Sequence, residues 1–273
     1  MMHNRNAMSE ILINELWLAY QDEGKGPPVV LVPGSFADYR VWSHQIGPFS
    51  RRHRVIAYSR RYGWPDAPPG QGADGSVIRQ VDDLATLIRE LGIAPAHIVG
   101  HSFGGAIALM LALASPELVR ALVLAEPAVR TVLENLPGGE ADLKAFQDFS
   151  AAMQQAFAAG DPQGILNTFV DAMLPGGVAN LPAEIRDMFA ANIPAAKVEV
   201  RATFSCDDAR RILVPALVLA GEQSPQRYLR VARVVADCLA QGSLEIIPST
   251  GHGMPFLNPR RFNEAVLTFV AKH

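Results

Sequence analysis

Gly100-His101-Ser102-Phe103-Gly104 sets a serine between two glycines, and a third glycine, Gly105, follows directly. A serine hydroxyl is a poor nucleophile at neutral pH. It works only when the backbone presents it and a positioned base takes its proton. The flanking residues supply the presentation. Ala96-His97-Ile98-Val99 is an apolar run of strand length, and the unbroken apolar run from Ala106 to Ala114 reads as a buried helix ending before Ser115-Pro116. At the sharp turn from strand to helix the hydroxyl is exposed, and the glycines let the backbone turn without a Cβ clash. The chemistry this permits is covalent attack by Ser102 on an acyl carbon.

The base comes from among seven histidines. His3 and His273 are terminal, His44 and His53 flank an early helix, and His97 stands ahead of the elbow. His101 sits on the elbow but turns away from Ser102 by alternation, so it reads as structural. His252, between Gly251 and Gly253 after the last apolar run, is the candidate base. An acid is needed to orient it. Glu126 follows the apolar run 120–125, where a carboxylate near a core is costly without a partner. Glu222, just beyond Gly221, is the alternative, and the choice between them stays open.

Positioning these groups takes alternating strands and helices. Glu15 to Tyr20 reads as an edge strand, Val29 to Val32 as a strand buried on both faces, and Arg54 to Tyr58 as the next strand. Residues 77–91 carry apolar side chains at helical spacing, and Gly92 caps them. Further strands are expected at 120–125, 215–220 and 244–247, with helices at about 227–239 and 259–271. The pattern predicts an α/β fold with a predominantly parallel sheet covered by helices on both faces. Between Val129 and Arg211 three helix-like segments replace the alternation, near 140–159, 162–174 and 182–191. Residues 1–128 and 212–273 are therefore expected to form the core, with 129–211 a helical cap inserted between core strands. In such sheets, sites form outside the carboxyl ends of the strands. The loops holding Ser35, Ser102, Glu126 and His252 all follow strands.

From Trp17 to Val270 the chain resembles the α/β-hydrolase superfamily. The resemblance rests on the elbow at Ser102, on Gly34-Ser35 after an early strand, on Gly251-His252 after the last strand, and on the order nucleophile, acid, histidine. It implies a Ser102-His252-Glu126 triad working through an acyl-enzyme. It also implies an oxyanion hole built from the backbone N–H groups of Phe103 and Ser35. The chain departs from the family at two places. Ser224 stands where an aspartate usually follows the strand 217–221, which shifts the expected acid to Glu126. Pro33 stands where a histidine often precedes Gly34. Activity is expected to rise as His252 loses its proton, and this chemistry calls for no metal or cofactor.

The expected reaction is hydrolysis of small or medium hydrophobic esters or lactones. Carbon–carbon bond hydrolysis, amide hydrolysis and perhydrolysis run on the same machinery and stay open, as does a receptor-like binding protein that keeps the triad. Phe36, Trp42, Trp64, Pro127 and Met254 are the candidate substrate contacts, with core packing an equal reading for Trp42. Arg60 and Arg61 read either as binders of a substrate carboxylate or as structural partners of acidic side chains.

Composition narrows the classes. A chain of 273 residues with 49% hydrophobic and 19% charged residues suits a globular enzyme rather than a disordered chain. A net charge of −3 gives no basic footprint for nucleic acid, and the longest apolar run is too short to span a bilayer. Met1 to Asn6 lacks a secretory apolar core, which predicts a cytoplasmic protein. Cys206 and Cys238 have no metal-ligand spacing and read as buried thiols, with a disulfide as the alternative. The expected partner is a small-molecule substrate, and whether the chain forms a homodimer stays open.

Overall fold

The computed structural model describes residues 8–134, 136–174 and 176–273. The opening stretch Met1 to Asn6, and His3 with it, lies outside them. The strands are β1 (Ser9–Ile13), β2 (Leu16–Glu23), β3 (Pro28–Val32), β4 (Arg54–Tyr58), β5 (Gly75–Ser76), β6 (Ala96–His101), β7 (Val119–Ala125), β8 (Glu199–Val200), β9 (Ala216–Gly221) and β10 (Gly242–Ile247). Eight of them form one sheet in the order β1-β2-β4-β3-β6-β7-β9-β10, and β5 pairs separately with β8. From β4 to β10 every pairing is parallel, whereas β2 runs antiparallel to both β1 and β4.

The expected edge strand at 15–20 is not an edge. β1 lies outside it, joined by a hairpin in which Asn14 and Glu15 both take positive φ. Two positive-φ residues make the turn that matches strand twist, but the usual sequence sign is a glycine, and none stands here. The interior strands are as expected. Every residue of β6 and β9 is buried, which explains the unbroken apolar run of β9, while β6 also buries His97 and His101.

The core helices are α1 (Ser43–Ser50), α2 (Val77–Glu90), α3 (Phe103–Ala114), α9 (Gln226–Cys238), α10 (Met254–Leu257) and α11 (Pro259–Val270). Between β7 and β9 come α4 (Glu140–Ala159), α5 (Pro162–Asp171), α6 (Ala183–Ala191), α7 (Ile193–Lys197) and α8 (Cys206–Arg210). Asp161 caps α5 by accepting from the N–H groups of Gln163 and Gly164. α8 packs on α3 and α9, so the last part of the inserted segment is seated on the core. Cys206 and Cys238 form a disulfide rather than two thiols, joining α8 to α9 across 32 residues of chain. In the chain-entropy account, closing a loop of that size stabilises by about 3–4 kcal/mol. Among the described residues no helix is long and apolar enough to cross a membrane.

The chain leaves β3 for β4 on one side and returns to β6 on the other. β3 and β6 are therefore the neighbours at which strand order reverses, and a crevice opens outside their carboxyl ends. Val32 pairs with Gly100 there, which brings the loop after β3 beside the elbow after β6.

Candidate active site

Ser102 takes φ 53° and ψ −115° between β6 and α3. This is an unfavourable backbone for a residue with a side chain, of the kind that costs about 1–3 kcal/mol and persists only where surroundings enforce it. The surroundings are explicit. The Ser102 N–H donates to the Ala125 carbonyl at 2.8 Å, and its carbonyl accepts from Gly105, Ala106 and Ala128. α3 starts close against β3, because a Cβ on Gly104 would stand 2.2 Å from the Val32 carbonyl oxygen. Phe36 and Glu126 also take positive φ, at 60° and 44°. Three loops of this crevice thus hold a strained non-glycine residue.

Glu126 is buried, and its carboxylate is fully engaged. Oε2 lies 2.6 Å from His252 Nδ1, while Oε1 accepts from the Gly221 N–H at 2.8 Å and the Ser224 hydroxyl at 2.5 Å. Ser224, at the position where the resemblance anticipates an aspartate, supplies a donor to the carboxylate that has moved. Glu222 is exposed and accepts from the Ser249 N–H, which turns it away from this cluster. With Nδ1 held by Glu126, His252 Nε2 is buried and has no hydrogen-bond partner among the described residues. His252 lines a cleft that Ser102 also lines. His101 does not turn away from the site. Its Nε2–H donates to the His252 carbonyl at 2.8 Å, and its ring lies 4.8 Å from the His252 ring, at the same distance as that of Tyr228.

Gly34 abuts the serine, since a Cβ there would stand 3.1 Å from Ser102 Cβ. Among the described residues, the N–H groups of Ser35 and Phe103 have no protein acceptor. The loop is held from the far side. Arg60 Nη2 donates to the Gly34 carbonyl and to Glu199 Oε1, each at 2.7 Å, and the Ser35 hydroxyl donates to Glu199 Oε2 at 2.5 Å. Arg60 and Glu199 are both about 95% buried. Glu199→Ala would strand a buried guanidinium, a change that costs about 3–5 kcal/mol. Chemical denaturation should show a loss of that size. A loss below about 1 kcal/mol would mean that solvent replaces the carboxylate. Arg61 is likewise taken up, by a two-pronged pair with Asp83. Neither Arg60 nor Arg61 is a free carboxylate binder.

The family of this chain follows from comparison with known proteins. A sequence model of the alpha/beta hydrolase family matches residues 29–265. The chain belongs to the alpha/beta hydrolase family. Among the relatives of this hydrolase is the putative non-heme bromoperoxidase BpoC of Mycobacterium tuberculosis, 30% identical over 93% of this chain and 97% of that one. The 2-hydroxymuconate semialdehyde hydrolase of Pseudomonas sp. is 27% identical over 96% of this chain and 93% of that one. Among solved structures, an esterase from Exiguobacterium antarcticum shares the hydrolase's fold with a TM-score of 0.81, at 21% identity, over 96% of this chain and 99% of that one.

Two narrow clefts meet at the hydrolase's elbow, sharing Ser35, Ser102 and Met173. The first is lined by Pro127, Phe146, Phe149 and Tyr228 and by Arg130 and Arg201. The second is lined by His252 and by apolar side chains including Val41, Phe169, Phe189 and Phe256. A chamber of about 380 Å³ lies outside them, with Phe36 and Phe157 in its wall. Pro127 lines the first cleft and Phe36 the chamber, whereas three other candidates line none of these spaces. Trp42 is fully buried against Phe262, Met254 is fully buried, and Trp64 lies under the Arg40 guanidinium at 3.8 Å. Trp42 and Met254 are spent on core packing, and Trp64 stands exposed outside the clefts. The contacts missed in the sequence come mostly from the inserted segment. A periodic signal was present, since Phe146, Phe149, Met153 and Phe157 form one stripe along α4.

Burial gives the hydrolase an acid-sensitive core. It pushes the His101 imidazole down to about 3 and, with help from Arg120, that of His97 down to about 4. Burial, with Glu10 nearby, pushes the Asp66 carboxyl up to about 7. Between about pH 4 and 6.5 the unfolded chain holds a proton on each histidine that the fold refuses, while the fold keeps one on Asp66 that the unfolded chain has lost. These groups leave the unfolded state about one proton ahead, so stability falls as pH drops through that window by up to about 1.4 kcal/mol per unit. Denaturant midpoints measured from pH 7 to 4 should fall in wild type and flatten in His97→Gln. An unchanged slope in that variant would count against the assignment.

Proposed function

We propose that this protein is a serine hydrolase of carboxylic esters, working through an acyl-enzyme on Ser102. The observation that carries the reading is the state of His252, with Nδ1 held by a carboxylate and Nε2 buried and unpartnered, in a residue that lines the same cleft as a strained serine. An imidazole so arranged accepts a proton at one nitrogen only, and its charge is neutralised at the other.

In the proposed cycle Ser102 Oγ attacks the ester carbonyl carbon as its proton passes to His252 Nε2. The carbonyl oxygen becomes an oxyanion within reach of the Ser35 and Phe103 N–H groups, donors that need no rearrangement to receive it. The tetrahedral adduct collapses, the C–O bond to the alcohol breaks, and the alkoxide leaves with the proton from His252. Water then attacks the acyl-enzyme by the same route in reverse, releasing the acid and restoring Ser102. Glu126 keeps its charge throughout, held by Gly221 and Ser224.

Steady-state hydrolysis of p-nitrophenyl butyrate, with labelling of Ser102 by diethyl p-nitrophenyl phosphate, tests the reading. Multiple turnovers together with labelling are expected. A single slow turnover with retained ligand would instead indicate a receptor-like binding protein.

A further inference from the structure

Three cations stand around the first cleft and the outer chamber with little to oppose them. Arg130 and Arg201 line both spaces, and Lys197 lines the chamber. Arg130 is oriented by donating from Nη1 to the Ser150 hydroxyl at 2.6 Å. Among the described residues, Arg201 and Lys197 have neither an ion pair nor a side-chain hydrogen bond. The carboxylate in the chamber wall, Glu199, offers nothing to them, because Arg60 takes one oxygen and Ser35 the other. Burial and the nearby Arg201 hold the Arg130 guanidinium below its ordinary range, and Glu134 offsets this without forming an ion pair. Arg130 is half-buried and Arg201 is exposed at the mouth of the same spaces, and the two guanidinium groups act on each other without a bridging carboxylate, which leaves a place for an anion between them.

The second cleft is different. Its lining is apolar apart from Ser35, Ser102, His101 and His252. The group that protonates the departing alcohol is His252, so the alcohol lies in that cleft. The acyl chain is left to the first cleft, which His252 does not line and which Arg130 and Arg201 do.

We propose that the substrate is a half-ester, with an apolar alcohol and an acyl chain ending in a carboxylate seated between Arg130 and Arg201. The assignment of the two halves rests on the hydrolase reading above. A two-pronged guanidinium–carboxylate contact supplies the recognition, and the distance from Ser102 to the arginines sets the preferred acyl length.

The test compares kcat/KM for the monobutyl esters of succinate, glutarate and adipate with that for butyl valerate, which replaces the terminal carboxylate of the glutarate ester by a methyl group. Wild type should favour the best half-ester by at least about tenfold. Arg130→Gln and Arg201→Gln should each lower that preference about 10- to 100-fold, mainly through KM, and Arg201→Lys should restore part of it. Arg89→Gln, an exposed charge on α2, should leave the preference intact. A wild-type preference for butyl valerate, or a preference that survives in the Arg130→Gln/Arg201→Gln double variant, overturns the proposal. A failure of the hydrolase reading would look different, with no ester turned over and Ser102 unlabelled. Calorimetric titration with glutarate then decides. Binding lost in Arg201→Gln supports the anion site, and no binding to wild type refutes it.

Discussion

Ser102→Ala should lower kcat on p-nitrophenyl butyrate by about 10⁵- to 10⁶-fold while moving KM by only a few fold. The reasoning is local. Removing the hydroxyl deletes the only atom that forms the covalent bond, while the main-chain donors at Ser35 and Phe103 and both clefts stay in place. Binding is therefore kept and the acyl-enzyme is lost, the pattern expected when an interaction made only in the transition state is removed. A residual rate of about 10³-fold over water should survive from those donors and from substrate positioning. The substitution also relieves no strain at φ 53°, since alanine carries the same Cβ, so denaturation midpoints should barely move. Turnover within tenfold of wild type would remove Ser102 as the nucleophile. Loss of the pre-steady-state release of p-nitrophenol together with an unchanged denaturation midpoint separates this loss from a folding defect.

Glu126→Gln should cost about 10⁴-fold in kcat, for a reason visible in three hydrogen bonds. The carboxylate accepts from the Gly221 N–H, the Ser224 hydroxyl and His252 Nδ1 with two oxygens. Glutamine has one oxygen. If it faces Gly221 and Ser224, its NH₂ faces Nδ1, which must then accept. The imidazole proton moves to Nε2, and the ring can no longer take the proton of Ser102. The opposite orientation leaves the amide against two donors, which is worse. Wrong tautomer with intact shape is the known route to a loss of this order. Glu222→Gln removes a charge from an exposed residue bonded to Ser249 and should stay within about twofold. The reverse result in the two variants would hand the acid role to Glu222.

Much of this site was legible because its parts obey local rules. The strand-turn-helix context of Ser102 and the glycine-flanked His252 are short-range patterns, and the parallel sheet shows itself in unbroken Val, Leu and Ile runs. Glu126 was legible for an energetic reason, as a carboxylate at the end of a buried strand that needed a partner. Other features depend on distant residues. The Ser224 hydroxyl lies 98 residues from the carboxylate it supports, and Glu199 lies 164 from Ser35. No spacing rule brings such pairs together. Trp42 and Trp64 misled because an aromatic near a strand-end loop looks the same in sequence whether it faces a cleft, a core as Trp42 does, or the surface as Trp64 does. The β1 hairpin escaped notice because its positive-φ turn uses Asn14 and Glu15 in place of glycine.

The inserted segment also bears on how the protein melts. It is fastened to the sheet domain by the Cys206–Cys238 disulfide, by β8 pairing with β5, by the buried Glu199–Arg60 pair, and by Asn192, whose side chain bonds Asp38 and the Trp64 N–H. Opening it would break several buried polar contacts with the sheet domain at the same moment, so insert and sheet are expected to melt in a single transition, with no early intermediate in which the cleft is laid bare.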